Sequence, residues 1–169
     1  MSKPILATRC RGVAVAAIAA VVLAACAAPA FVPGQSTEAA VRAGLGEPAA
    51  VYPLPAGAKR LAFPTGPMGT QTFMADIGAD GRLARFEQVL DEAHFLQVRK
   101  GEDDRDAVLR LLGPPWRSVD FPNKGQVAWD YRFRDSWGYL ADFSVMFDAK
   151  GIAVETVTVR QEIGRQFGS

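Results

Sequence analysis

Residues 101–115 read GEDDRDAVLRLLGPP, and residues 34–48 read GQSTEAAVRAGLGEP. At an offset of 67, Gly34, Ala40, Val41, Leu45, Gly46 and Pro48 meet Gly101, Ala107, Val108, Leu112, Gly113 and Pro115, six matches in fifteen positions. A match at a fixed period points to a repeated structural unit before it points to anything else. Each copy predicts a short helix. Ser36, and Asp103 or Asp104, can cap it by accepting from free backbone N–H groups. Val108, Leu111 and Leu112 form one apolar stripe at helical spacing. Gly46 and Gly113 supply a left-handed position past the helix end, and Pro48 and Pro115 forbid continuation. The first copy is the weaker, because Gly44 sits inside its helix at a cost of about 1 kcal/mol relative to Ala.

The likeness continues downstream with drifting offsets, as short loop insertions would produce. Leu61 and Phe63 fall on Trp129 and Tyr131 at an offset of 68, and Phe73, Ile77, Gly81 and Val89 fall on Phe143, Phe147, Gly151 and Val159 at 70. In the second copy, Val127–Phe133, Tyr139–Phe147 and Ile152–Val159 alternate apolar and polar residues and predict strands. Asp148–Gly151 and its counterpart Ala79–Gly81 are tight connections, and residues 135–138 join the two preceding strands. A second short helix is expected over Asp91–Val98. The first unit has little room for a leading helix of its own. The resulting expectation is α+β: two tandem helix–helix–three-stranded antiparallel units, residues 34–90 and 91–162, with helices on one face of each sheet and a tail over 163–169.

The N-terminal 33 residues have a different character. Residues 2–12 carry Lys3, Arg9 and Arg11 without an acid, and residues 13–25 (VAVAAIAAVVLAA) are 13 uncharged apolar residues. A spanning helix needs about 20, whereas the core of a secretory signal needs about 7–15. Pro29 and Pro33 would break any extension of the run. Leu23-Ala24-Ala25-Cys26 then resembles a bacterial lipobox, which implies cleavage between Ala25 and Cys26 and lipidation of the Cys26 thiol. Residues 1–25 are accordingly read as a signal peptide, and residues 26–33 as the lipidated terminus and tether. Two or three acyl chains are enough for stable anchoring. Ala27 rather than aspartate after the cysteine resembles the sorting pattern for the outer membrane. The expected partner of Cys26 is therefore outer-membrane lipid, with the chain facing the periplasm. Gly34 follows Cys26 by eight residues, which sets the first unit nearer the lipid and the second farther out.

Composition removes several function classes. The formal charge is +1, and about −2 once the leader's three cations are gone, so no basic field marks a nucleic-acid binder. Cys10 and Cys26 are the two cysteines, both N-terminal, so the body carries no zinc-type cysteine set, no disulfide framework and no cysteine nucleophile. One histidine, His94, cannot build a metal site alone. His94 with Asp91 and Glu92 reads as a solvated helix face. Glu102-Asp103-Asp104 lacks the ligand spacing of a calcium loop and reads as capping. Ser36, Ser118, Ser136 and Ser144 sit in caps, loops or strands, and Gly66–Gly69 lacks the lysine of a phosphate cradle. No catalytic residue, metal or cofactor is expected.

The tryptophans carry the interaction reading. Trp129 alternates with Tyr131 and Phe133 and is expected in the core. Trp116, at the helix exit, can pack or protrude. Trp137 and Tyr139 lie at a hairpin tip, where a ring is hard to bury; the tip can meet a partner or lipid, or fold back on its own sheet.

Residues 91–162 are similar to the SmpA/OmlA (BamE-like) family of outer-membrane lipoproteins. The pieces are VRKGEDDRDAVLRLLGPP, VAWDYRF and FSVMFDAKGIAVETV. In that family G-x-[ST]-x-x-x-V-x-x-x-[LF]-G-x-P opens the domain, W-x-Y sits on a strand, and F-D-x-x-G-x-[VL] closes a hairpin. Asp103 stands here where the family has Ser or Thr. The resemblance implies a non-enzymatic interaction module, with envelope or barrel-assembly proteins as partners. A tandem pair also resembles the fold of β-lactamase inhibitor proteins, which implies the alternative of an inhibitor or ligand-binding protein.

Overall fold

The computed structural model describes residues 31–66 and 69–161. The fold is α+β, with two four-stranded antiparallel sheets and few helices. The first half holds helix α1 (Glu38–Leu45) and strands β1 (Ala50–Pro53), β2 (Lys59–Pro64), β3 (Thr72–Ile77) and β4 (Leu83–Gln88), paired in the order β1-β2-β3-β4. The second holds α2 (Glu92–Phe95), α3 (Arg105–Leu112), β5 (Arg117–Phe121), β6 (Gln126–Arg134), β7 (Leu140–Phe147) and β8 (Ala153–Arg160), paired β5-β6-β7-β8.

Each sheet thus has four strands rather than the expected three. β1 and β5 are the additions. They are short edge strands without alternation of apolar and polar residue types, joined to the next strand by one-turn 3₁₀ segments at Pro55–Gly57 and Pro122–Lys124. The expected leading helix shrinks to the single turn α2, and the first half has no counterpart of it among the described residues.

Both halves are closed by the same hydrogen bonds. Gly34 N–H donates to Leu83 C=O and Gly101 N–H to Ala153 C=O, each at 2.7 Å. Leu83 N–H returns to Ser36 C=O at 2.8 Å, and Ala153 N–H to Asp103 C=O at 2.9 Å. The Ser36 hydroxyl accepts from Val32 N–H, and the Asp103 carboxylate from Arg99 N–H, both at 2.9 Å. These side chains therefore brace the turn before the helix and do not cap it. The caps are one residue on: Thr37 accepts from Ala40 N–H at 3.2 Å and Asp104 from Ala107 N–H at 2.8 Å. Past each helix, Gly46 (φ 84°, ψ −164°) and Gly113 (φ 80°, ψ −169°) adopt an extended positive-φ conformation, not the left-handed helical one expected. That region is open essentially to glycine alone. A register shift follows Asp76 in β3 and Met146 in β7, again at matching positions.

The two sheets bury different things. In the first, Leu61, Phe63, Ala75, Ile77 and Leu83 pack with Val41 of α1. Its opposite face contributes Ala62 and Met74 to the larger core, which also holds Val108 and Leu112 of α3 and Tyr131, Phe133, Phe143, Val145 and Phe147 of the second sheet. Helix α3 is thus shared by both sheets. A Cβ on Gly113 would lie 3.0 Å from Thr72 Cγ2 and 3.1 Å from Met74 Cε, so its lack of a side chain permits the approach. Arg60 Nη1 donates to Arg110 C=O at 2.9 Å, satisfying a carbonyl in the last turn of α3.

Candidate functional site

The most exposed aromatic among the described residues, Trp137, stands on the turn between β6 and β7. Asp135 organises that turn: its carboxylate accepts from Trp137 N–H at 3.0 Å, Tyr139 N–H at 2.8 Å and Arg160 Nε at 2.8 Å. Burial pushes the Asp135 carboxyl up, but the Tyr139 N–H, Arg160 and Trp137 N–H together hold it below its ordinary value. Ser136 N–H donates to Glu92 Oε1 at 3.1 Å, which fastens the turn to α2. The Arg160 guanidinium lies 4.7 Å from the centre of the Tyr139 ring. Yet Trp137 is 80% exposed and Tyr139 49%. The tip does not fold its tryptophan back. It is braced from behind and presents the ring to solvent. Leu96, the residue that ends α2 one turn along from Glu92, is 86% exposed and adds an apolar side chain to the surface.

Trp116 is placed elsewhere. Its ring packs against the guanidinium groups of Arg132 (4.1 Å) and Arg117 (4.8 Å), with its indole Nε1 buried and without a protein partner. Arg117 and Arg132 belong to a charge ladder across the outer face of the second sheet. Asp130 accepts from Arg117 at 2.8 Å and from the Ser144 hydroxyl at 2.6 Å, and Arg132 donates to Asp142 at 3.0 Å. Trp116 also walls a cavity of about 350 Å³ with Pro64, Leu90, Pro114, Pro115 and Arg132, in the seam between the halves. Trp129 is half-buried, edge-on to Phe147 at 4.7 Å, and packs against the core as expected. Ala25 and Cys26 lie outside the described residues.

His94 is not on a solvated face. Its side chain is 15% exposed, with Nδ1 2.8 Å from Asp91 Oδ1 and Nε2 3.4 Å from Glu87 Oε2. Burial raises the Asp91 carboxyl, but hydrogen bonds from the His94 ring and backbone win and hold it below its ordinary value. Glu87 lies 3.8 Å from Arg60, whose guanidinium grips Asp76 at 2.6 and 2.7 Å. The Arg60 pKa is raised, first by that hydrogen bond to Asp76. This cluster fastens β2, β3 and β4 to α2 and α3. The signal in the sequence was Arg60 and Asp76 on adjacent strands, visible only once the register is known. Among the described residues no group of three His, Cys, Asp or Glu side chains is set to hold a metal.

No family model and no curated protein matches the chain. Among solved structures, it is similar to a DUF4309 family protein (YjgB) from Bacillus subtilis subsp. subtilis str. 168, at 14% identity and a TM-score of 0.30, over 78% of this chain and 82% of that one.

Proposed function

We propose that the chain is a lipid-anchored, periplasm-facing outer-membrane lipoprotein that acts as a non-enzymatic interaction module in envelope protein assembly. Its two halves are read as tandem BamE-like units. The observation that carries the anchoring is the basic start, 13-residue apolar core and Leu23-Ala24-Ala25-Cys26 sequence, eight residues ahead of Gly34. The matched closing bonds of the two halves support the tandem reading. The braced Trp137 tip supports the interaction reading, since a rigid exposed aromatic loses little entropy on docking. The inhibitor reading is less well supported, because the outer face of the second sheet is laddered with charges rather than lined with aromatics.

Cell fractionation tests the anchor. Cys26→Ser should move the chain out of the outer-membrane fraction; retention there at the normal level would refute the lipoprotein reading. Site-specific crosslinking from position 137 in intact cells should trap an envelope protein. Failure of that arm alone would remove the role of the tip and leave the anchor standing.

A further inference from the structure

The outer edge of β8 has no partner strand among the described residues. Gln161 N–H donates to Leu140 C=O at 2.8 Å, in register with the Ala141↔Arg160 pair. Alternate residues of an antiparallel strand turn their backbone groups to the same neighbour. Glu155, Val157 and Val159 therefore face β7, and the N–H and C=O groups of Thr156, Thr158 and Arg160 face outward. The start of the edge is taken, because Ala153 exchanges hydrogen bonds with Gly101 and Asp103. Beyond it, none of the described elements pairs with the strand.

The other edges are blunted, and this one is not. β1 has four residues and ends in Pro53, and β5 runs directly into Pro122. β4 is shorter, with six residues, and has Phe31 packed on Phe86 at 5.0 Å; its two charges, Arg85 and Glu87, are matched by Glu155 and Arg160 of β8 and do not separate the edges. β8 has eight residues, AVETVTVR, without proline or lysine, and Val154, Val157 and Val159 are 38%, 38% and 58% exposed. Charges, prolines, short length and coverage are the devices by which edge strands avoid pairing.

We infer that β8 pairs antiparallel with β8 of a second copy, about a two-fold axis at Thr158, so that two four-stranded sheets join into one of eight strands. The strand is self-complementary in that register. Thr158 faces its own copy and Thr156 faces Arg160, so the outward donors of each chain meet acceptors of the other. On the outer sheet face Val157 meets Val159 twice, and Glu155 meets Gln161, so no like charges oppose each other. A two-fold pairing closes on itself and gives a dimer, not a fibre. It does not depend on lipidation.

The full chain, purified in non-ionic detergent, should have the mass of a dimer by sedimentation, dissociating on dilution. Thr158→Pro removes an outward N–H while leaving the β7 ladder intact, and should give a folded monomer whose melting temperature no longer rises with protein concentration. Thr158→Lys sets two ammonium groups on the axis, should weaken dimerisation roughly tenfold or more, and decides the matter if the proline variant fails to fold. In a Cys10→Ser, Cys26→Ser background, Thr158→Cys should oxidise to a disulfide-linked dimer. A directly opposed pair has Cα atoms about 5.5 Å apart, within disulfide reach. Ser118→Cys on the far edge should not. A monomer at every concentration, a Thr158→Lys chain that dimerises as well as its parent, or equal crosslinking at 118 and 158 would overturn the inference.

Discussion

Ala62 pairs with Met74 across β2 and β3, and Asp130 pairs with Ser144 at the corresponding place across β6 and β7. The two positions occupy the same point of the same ladder, yet one pair is apolar and the other is polar. The difference lies in what covers them. The C-terminal end of α3 presses on the first pair so closely that a Cβ at Gly113 would lie 3.1 Å from Met74 Cε and 3.7 Å from Ala62 Cβ. Among the described residues no helix covers the second pair. There, Arg117, Arg132 and Trp116 fold over the strands, and every carboxylate finds a cation or hydroxyl. A stack of repeats needs an apolar face wherever a neighbour docks and a satisfied polar face where the stack ends. The outer face of the second sheet shows the second pattern, its carboxylates paired with arginines and a hydroxyl.

Exchanging the pairs should give the largest effect. Ala62→Asp buries a carboxylate with no cation arranged to meet it and should cost about 3 kcal/mol or more in urea unfolding. Asp130→Ala removes partners from a half-exposed arginine and a hydroxyl, and should cost about 1–2 kcal/mol. If the two cost the same, the contrast between covered and uncovered faces is wrong. Next come the glycines after the helices. Gly113→Ala adds a clash with Thr72 and Met74 to its backbone strain and should cost about 2–3 kcal/mol. Gly46→Ala meets nothing within 4 Å and should cost only the strain, about 1–2 kcal/mol.

A smaller effect is expected from pH. The carboxyls of Asp91 and Asp135 are held below their ordinary value of 3.8, so the folded chain binds those protons more weakly than the unfolded chain. Their stabilisation is fully present above that value and is lost as the pH falls through the lower folded values. The melting temperature should be level between about pH 7 and 5 and drop below about 4. Asp135→Asn should make the drop shallower. The least effect belongs to Trp137→Ala. With the ring 80% exposed, stability should stay within about 0.5 kcal/mol, and a loss larger than that would show that the ring supports the tip rather than being displayed by it.

Much of this arrangement was legible in the sequence, for identifiable reasons. The Gly34/Gly101 match located both helices because capping, apolar spacing and glycine are local properties. Strands β6 and β7 were legible because one face packs apolar side chains into the core and the other carries mostly polar ones, which writes an alternation into Val127–Phe133 and Tyr139–Phe147; β8 alternates too, with Val157 and Val159 on the outer face. β1 and β5 left no such mark, being short edge strands. Ser36 and Thr37 are both capping types, and only the bond to Val32 N–H separates their roles. The environment of His94 is not legible because Glu87, which faces its Nε2, lies on β4, and only the fold sets that strand against α2. At the tip the sequence marked Trp137 and Tyr139, but the bracing by Glu92 and Arg160 joins residues far apart in the chain.

The closing bonds at Gly34–Leu83 and Gly101–Ala153 bear on the order of folding. Each joins residues about fifty positions apart, so the first turn of each half waits for its last hairpin. The hairpins β3–β4, β6–β7 and β7–β8 can form from neighbours, but the closing turn of each half cannot. A chain emerging from its N-terminus would hold α1 unlatched until β4 had followed it, and the apolar side of the first sheet would stay open until α3 arrived. Slow refolding, with both halves acquiring amide protection together, is the kinetic signature this wiring predicts.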